Sequence, residues 1–402
     1  MKEITVEREQ YIRKLILWKD KRMIKVITGI RRSGKSTLLQ QFRAYLLQDG
    51  VKADQIIEVN FERIENEPLT EYHALYEYVT DRISNTEMHY IFLDEIQMVP
   101  EFQRVVDSLF LRENVDLYIT GSNAYMLSGE LATLLSGRYV EIQLLPLSFA
   151  EYCRLTGYDR RDAWPHYFTE GGFPYAATLT DEDIRRDYMQ GIYSTVLIKD
   201  IIGRKKIQDV PLLESVVRFA FDNIGNTVSP KKIADTLSSN GRKTTSATVE
   251  NYLRGLMESF ILYKVYRYDI KGRQHLKSLE KYYLVDMGFR RMLLGNAPRD
   301  VGHILENIIF LELSRRGYAV YIGKYDNLEV DFVAENGSGR LYVQVAASIM
   351  DESVYEREML PLKKIKDNYP KIVITLDEIP MEEDGIRQVN AVDFLLGEAD
   401  PV

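Results

Sequence analysis

The sequence predicts an α/β protein whose N-terminal part is a nucleotide-binding domain with a parallel sheet. Apolar segments alternate with helical ones over the first 145 residues, and such alternation is typical of a parallel sheet with helices on both faces. A glycine-rich turn, GIRRSGKST at 29–37, directly follows the first apolar segment. Another apolar segment, YIFLDE at 90–95, ends in two acids. Because the carboxyl ends of parallel strands share one edge of a sheet, these features should meet there.

Strands and helices are expected to alternate throughout this domain. The strands are predicted at 24–29, 55–62, 90–97, 116–123 and 139–145. The helices are predicted at 37–48, 69–83, 101–110 and 124–137. The strands are short and apolar, as expected for strands that are buried on both faces.

The turn after the first strand matches the P-loop pattern G-x-x-x-x-G-K-[ST]. Small residues let the backbone curl so that its N–H groups hold phosphate oxygens, and the start of the next helix adds its positive end. Lys35 is expected to reach the β- and γ-phosphates of ATP, and Ser36 to bind Mg²⁺. The predicted nucleotide-binding residues of the loop are Gly29, Arg32, Ser33, Gly34, Lys35, Ser36 and Thr37.

Acidic and polar residues end the two strands that should flank this site. Asp94 is placed to hold Mg²⁺ through its water shell, and Glu95 to deprotonate the attacking water. At the end of the strand at 116–123, either Ser122 or Asn123 is a candidate for contact with the γ-phosphate or the water, the position called sensor 1. The spacing does not choose between them, and a turn or helix cap is the alternative for each.

Four segments together resemble a large prokaryotic family of AAA-type ATPases: GIRRSGKST, YIFLDEIQ, LYITGSN and LSGRYVEIQLLPLSFAEY. The resemblance implies an AAA+ core at 1–148 and a small helical lid at 149–205. It also implies that Arg138, just before the fifth strand, is an arginine finger that reaches a neighbouring subunit's γ-phosphate. A surface arginine is the alternative for Arg138.

The predicted lid contains EGGFPYAA at 170–177. This segment resembles the Gly-x-Pro element of switch-type ATPases, which implies that Pro174 packs against the nucleotide base. Read without the resemblance, the same segment is a loop between helices, because glycine and proline interrupt regular structure.

The middle of the chain, 206–295, is predicted to be a winged-helix domain. Residues 201–300 contain 18 Lys and Arg against 10 Asp and Glu, which points to a polyanionic partner. Helices are expected at 211–225, 229–239 and 241–260, and strands at 261–270 and 281–288. Cations and hydroxyl residues expected to contact DNA lie at the third helix and in the wing: Arg242, Lys243, Thr244, Thr245, Ser246, Thr248, Lys271, Arg273 and Lys277. A protein-docking role is the alternative.

The last part of the chain, 296–402, resembles the core of restriction-endonuclease-like nucleases. Glu306, Asp331 and Gln344 match positions of the metal-binding acids. The position of the expected lysine is Ala346, which can neither stabilise a hydroxide nor neutralise charge. A degenerate domain without nuclease activity is therefore expected.

The composition excludes other classes of protein. The single Cys153 forbids an internal disulfide and a multi-thiolate metal site. Apolar runs are too short for a membrane span, so a cytoplasmic protein without membrane contact is expected. The leading hypothesis is a Mg²⁺-dependent ATPase that forms a homo-oligomer such as a hexamer and binds DNA, either without sequence preference or selectively at forked or branched structures. The alternatives are a nucleotide-controlled signalling switch whose C-terminal modules bind protein, and an ATP-dependent nuclease.

Overall fold

The computed structural model describes residues 5–124, 135, 137–295 and 300–399. The chain divides into two compact units. The first comprises Met1–Leu144 with Glu258–Phe260, and the second comprises Leu145–Met257 with Ile261–Val402. The divisions predicted within the second unit stay a prediction.

The first unit contains a five-stranded parallel sheet, which confirms the predicted α/β fold. Its order is β2-β3-β4-β1-β5. The strands are β1 Ile24–Thr28, β2 Ile56–Asn60, β3 His89–Asp94, β4 Val115–Gly121 and β5 Tyr139–Gln143, and the helices are α1 Glu9–Trp18, α2 Lys35–Gln48, α3 Tyr72–Thr80 and α4 Phe102–Phe110. The helix predicted at 124–137 lies largely outside the described residues.

Both faces of this sheet are buried by apolar clusters. Successive side chains of a strand point to opposite sides, so each strand contributes to both clusters. In β3, Ile91 belongs to the apolar cluster on one face and Phe92 to the cluster on the other. Phe92 packs with Phe42 of α2 and Tyr118 of β4. The sheet is therefore a rigid layer, and its carboxyl edge is a fixed platform for polar side chains.

The second unit begins with a series of helices. They are α5 Phe149–Thr156, α6 Arg160–Glu170, α7 Pro174–Ala177, α8 Glu182–Thr195, a π-helical segment Val196–Ile202 with one further turn Gly203–Lys205, α9 Val210–Asp222, α10 Pro230–Ser239 and α11 Ser246–Glu258. Ser229 caps α10 by accepting a hydrogen bond from the Lys232 N–H, and Pro230 occupies the first helical position, where its missing N–H costs nothing.

An eight-stranded mixed sheet follows, in the order β12-β13-β11-β10-β9-β8-β6-β7. Its elements are β6 Leu262–Asp269, β7 Gln274–Leu284, α12 Met287–Leu294, α13 Val301–Arg315, β8 Ala319–Tyr325, β9 Leu328–Asn336, β10 Gly339–Val345, α14 Glu352–Lys364, β11 Lys371–Thr375, β12 Glu382–Glu383, β13 Ile386–Asn390 and α15 Ala391–Leu396.

The hairpin β6–β7, predicted as a wing, is part of this sheet, since β6 pairs in parallel with β8 from Arg267 opposite Ile322 to Asp269 opposite Lys324. One sheet thus crosses the predicted boundary at 295/296. The strand β7 also begins at Gln274 rather than at 281, because Gln274 pairs with Asp269 across a short turn.

Candidate nucleotide site

The loop between β1 and α2 has a backbone that only particular residues tolerate. Gly29 has φ +146°, and a Cβ on it would lie 2.2 Å from the carbonyl oxygen of Leu144, far inside van der Waals contact. Gly34, just before α2, has φ +99°. Arg32 has φ +66° and is exposed, a left-handed conformation that is uncommon for a residue with a Cβ. The loop is therefore a tight, strained turn against β5.

Lys35, at the start of α2, folds back into this loop. Its side chain is 4% exposed, and its ammonium donates to the carbonyl oxygens of Gly29 at 3.1 Å and Ile30 at 3.3 Å. The same nitrogen lies 3.3 Å from Oε1 of Glu95. The structure thus brings the predicted phosphate-binding lysine and the predicted general base into one buried ion pair.

The carboxylate of Asp94, the last residue of β3, is fixed on both oxygens. Thr120 Oγ1 donates to Oδ1 at 2.6 Å, and Asn60 Nδ2 donates to Oδ2 at 2.7 Å. Asn60 and Thr120 lie at or near the carboxyl ends of β2 and β4, which flank β3 in the sheet. Neither residue is among the predicted site residues, although each is a polar residue near the end of an apolar strand, which was the available signal.

Glu95 is the residue after β3 and adopts a left-handed backbone with φ +59°, a conformation that costs free energy and is often found at functional sites. Its N–H donates to Thr120 Oγ1 at 2.9 Å, and its Oε2 accepts from the Ser122 hydroxyl and the Gln97 amide. Burial opposes ionisation, but Lys35 and these two hydrogen bonds outweigh it and lower the pKa of Glu95. The base is therefore held as a carboxylate.

The two sensor candidates lie side by side in the buried edge of the sheet. Ser122 donates to Glu95, as just described, and Asn123 is buried beside it. Ser122 is thus in direct contact with the predicted general base. The assignment of sensor 1 nevertheless stays a prediction.

The residues of the loop fit a bound phosphate and Mg²⁺. Ser33 Oγ is fully buried and has no hydrogen-bond partner among the described residues, and such an atom normally finds one. Ser36 and Thr37 lie half-buried in the first turn of α2. Ser36 and Asp94 are the residues that would hold Mg²⁺, since hydroxyl and carboxylate oxygens suit this ion.

Arg138 lies at the opposite edge of the same sheet. Its carbonyl oxygen accepts a hydrogen bond from the Ile24 N–H, at the start of β1, whereas the P-loop follows the end of β1. The five residues of β1 span about 17 Å. The guanidinium, 43% exposed, is paired with Asp107 of α4 at 2.6 Å. The structure therefore does not bring Arg138 to the loop of its own chain.

Pro174 belongs to the second unit, where it is the first residue of α7. The glycines before it approach a buried carboxylate, because the N–H of Gly172 donates to Asp286 Oδ2 at 2.6 Å. The predicted contact between Pro174 and a nucleotide base stays a prediction.

The cations predicted to contact DNA have different surroundings. Arg242 and Lys243 are exposed just before α11, and Thr245 caps that helix by accepting from the Thr248 N–H. Lys271 is instead paired with Asp326 at 3.0 Å, in the turn between β8 and β9. The side chain of Lys277 lies outside the described part of the chain.

Residues 21–153 match the protein family described as an AAA domain, and residues 161–300 match a domain of unknown function, DUF8612. The winged helix and the nuclease-like fold are not named by either match. In the part of the chain that the structure describes, no helix is long and apolar enough to cross a membrane.

Known proteins that are similar to the chain include the following three. A Walker-type ATPase of Pyrococcus abyssi is 15% identical, with a TM-score of 0.51 over 73% of this chain and 97% of that one, a likeness that shows the fold. An uncharacterised protein of Methanocaldococcus jannaschii is 28% identical over 92% of this chain and 85% of its own length. An uncharacterised protein of Haemophilus influenzae is 42% identical over 98% of this chain and its entire own length. The chain belongs to the family of the Haemophilus protein, and its first unit is an AAA-type P-loop domain.

Proposed function

We propose that the protein is a Mg²⁺-dependent ATPase that works as a homo-oligomer and binds DNA through its basic middle region. The observation that carries the catalytic half is the convergence of Lys35, Asp94 and Glu95 at one buried edge of the first sheet. An AAA domain supplies the nucleotide-binding context. ATP and Mg²⁺ are accordingly the proposed substrate and cofactor.

The residues divide the work of hydrolysis between them. When ATP binds, the ammonium of Lys35 would move from the carboxylate of Glu95 to the β- and γ-phosphates. A triphosphate attracts it more strongly because it offers several anionic oxygens. Glu95, held in place by Ser122 and Gln97, would then accept a proton from the attacking water. Asn60 and Thr120 orient Asp94. Mg²⁺, when bound by Ser36 and Asp94, would neutralise phosphate charge.

The position of Arg138 supports action between subunits. It lies across the sheet from its own P-loop, and its guanidinium is half-exposed and held by Asp107. If this arginine stabilises a γ-phosphate, that phosphate belongs to another copy of the chain. An assembly such as a hexamer would supply this arrangement.

The exposed cations before α11 support DNA as the polyanion. A positively charged helix start with small hydroxyl residues suits phosphate contacts, which carry no sequence information. Lys231 and Lys232, at the start of α10, are two further exposed cations of the middle region. DNA recognition is thus proposed to depend on backbone charge and shape.

The substitution Glu95→Gln tests the catalytic half. The amide keeps the size of the side chain but cannot accept a proton from water, so hydrolysis should fall by about 10²–10⁴-fold while ATP binding persists. Glu113→Gln, an exposed glutamate of the same unit, is the matched control. Wild-type turnover in Glu95→Gln would remove the proposed mechanism.

A further inference from the structure

A buried cluster of charged side chains lies in the second unit and contains no residue of the P-loop site. The ammonium of Lys281, in β7, is 2.9 Å from Glu306 of α13, 2.9 Å from Glu329 of β9 and 3.8 Å from Asp331 of β9. The side chains of Lys281, Glu306 and Asp331 are 4%, 7% and 14% exposed. Three carboxylates from two elements thus converge on one lysine from a third.

Neutral protein donors also hold two of these carboxylates. The hydroxyl of Tyr283 donates to Glu306 Oε1, and the N–H of Val345 donates to Asp331 Oδ2 at 2.8 Å. Both ends of the Gln344 amide are hydrogen-bonded. Its Oε1 accepts from the Asp331 N–H, and its Nε2 donates to Glu358. An ammonium has three donors and no acceptor, so Lys281 supplies the positive charge that these neutral donors cannot.

The negative charge of the three carboxyl groups explains why a cation lies between them. Isolated carboxylates are very costly to bury without a partner. Burial and repulsion from Glu306 raise the pKa of Asp331 well above its ordinary value, despite the opposing effect of Lys281. Burial works against the charge on Lys281, but Glu306, Asp331 and Glu329 outweigh it and raise its pKa. The lysine therefore stays charged at every physiological pH.

We propose that Lys281 is the resident cation of this carboxylate cluster, that it fills the position a divalent metal would need, and that it thereby keeps the C-terminal domain from cleaving nucleic acid. Metal-assisted hydrolysis requires a metal ion with an open position for water, and an ammonium offers none. With the carboxylates placed as they are around Lys281, no group of acidic, histidine or cysteine side chains among the described residues is arranged to hold a metal ion. Lys281 also ties the hairpin β6–β7 to α13 and β9.

Removal of the lysine tests the proposal on the full-length protein, with Mn²⁺ as the probe and no nucleotide present. Free Mn²⁺ is measured by electron paramagnetic resonance. The wild type and Asp331→Asn should bind the same amount of Mn²⁺, because the wild-type cluster is expected to hold none. Lys281→Gln should gain a Mn²⁺ site, because hard carboxylate oxygens suit this ion, and the double variant Lys281→Gln with Asp331→Asn should lose it again. Lys264→Gln is the control. Lys264 lies in the neighbouring strand β6 and pairs with Glu280, so its replacement should create no Mn²⁺ site.

Three results would overturn the proposal. The first is binding of Mn²⁺ by the wild type that Asp331→Asn abolishes, and the second is no gain of binding in a folded Lys281→Gln. The third is cleavage of single-stranded, duplex or forked DNA by the wild type with Mg²⁺ or Mn²⁺ that is lost in Lys281→Gln, which would make the lysine part of an active nuclease. If Lys281→Gln does not fold, the comparison of wild type with Asp331→Asn still decides.

Discussion

The ammonium of Lys35 and the carboxylate of Glu95 lie 3.3 Å apart and are both almost fully buried. The side chain that would bind the γ-phosphate is therefore the partner of the side chain that would activate water. In this arrangement Glu95 would be a poor base, because its charge is compensated by Lys35. Arrival of a triphosphate would attract the lysine and release the carboxylate, so nucleotide binding would itself prepare the base.

Ser122 should set the pH dependence of hydrolysis. Its hydroxyl donates to Glu95 and helps to lower the pKa of that carboxyl group. In Ser122→Ala this stabilisation of the charged form is absent, so the pKa of Glu95 rises. A general base must be deprotonated to act, and the acidic limb of the kcat/KM profile for ATP should therefore shift to higher pH. The measurement is kcat/KM between pH 4 and pH 8.

Asn123→Ala is the matched control for this prediction, since Asn123 is the adjacent buried residue and the other sensor candidate. It is expected to lower kcat without moving the acidic limb. The prediction fails if the two variants shift the limb equally, or if Ser122→Ala leaves it in place.

Arg138 should act on the nucleotide of another subunit. Arg138→Ala is expected to lower turnover by about 10³–10⁵-fold if it acts as a finger. Lys35→Ala should also be inactive, because its own site cannot hold the phosphates. Arg138→Ala keeps an intact P-loop, and Lys35→Ala keeps the arginine. An equimolar mixture of the two variants should therefore regain ATPase activity.

The double variant Lys35→Ala with Arg138→Ala provides the control for mixing. Combined with Arg138→Ala, it supplies no intact arginine and should restore nothing. Recovery in that mixture, or none in the first one, would contradict transfer of the arginine between subunits.

The sequence predicted the parts of the site that follow each other along the chain. Gly29, Gly34 and Lys35 lie within one turn, whose spacing is dictated by the geometry of phosphate binding. Asp94 and Glu95 end a strand that is apolar throughout. These local patterns need no knowledge of the tertiary fold, which is why the β1–loop–α2 unit and the parallel sheet were predictable.

Contacts between distant segments were not predictable in this way. Asn60 and Thr120 meet Asp94 only because β2 and β4 flank β3 in the sheet, an order that periodicity does not specify. The same reason applies to Lys281, because its contacts with Glu306 of α13 and Asp331 of β9 depend on how these elements pack with β7. A polar residue near the end of an apolar strand, as Asn60 and Thr120 are, does not reveal which distant side chain it contacts, and the same holds for Lys281 within β7.

Binding of DNA should depend on the cations before α11. Arg242→Gln with Lys243→Gln is expected to weaken binding to unrelated sequences alike, because phosphate contacts do not distinguish bases. The slope of log K against log[salt] should become less steep by about 0.9 for each phosphate that the variant no longer neutralises. Fluorescence anisotropy at several salt concentrations measures both effects.

Lys364→Gln with Lys366→Gln removes the same charge from another exposed site of the second unit and should leave the slope unchanged. An equal effect of the two double variants would indicate attraction by net charge alone. Absence of salt-dependent binding in the wild type would favour a protein-docking role of the middle region.

Asp286 should make the stability of the second unit depend on pH. It is buried at the start of α12 and accepts hydrogen bonds from the N–H groups of Gly172 at 2.6 Å and Gly288 at 2.8 Å. A Cβ on Gly171 would lie 1.9 Å from its Oδ1, so this close approach requires glycine at position 171. Burial raises the pKa of Asp286 to about 7, although the two hydrogen bonds oppose the shift.

The sign of the effect on stability follows from proton binding. Between its ordinary pKa of 3.8 and about 7, the folded chain keeps a proton on Asp286 that the unfolded chain releases. The free energy of unfolding should therefore fall as the pH rises through this range, by at most about 1.4 kcal/mol per pH unit. Asp286→Asn removes this titration, so its unfolding midpoint in urea should depend less on pH. The exposed Asp235→Asn is the control and should retain the wild-type slope; equal slopes in wild type and Asp286→Asn would show that this carboxyl group titrates normally.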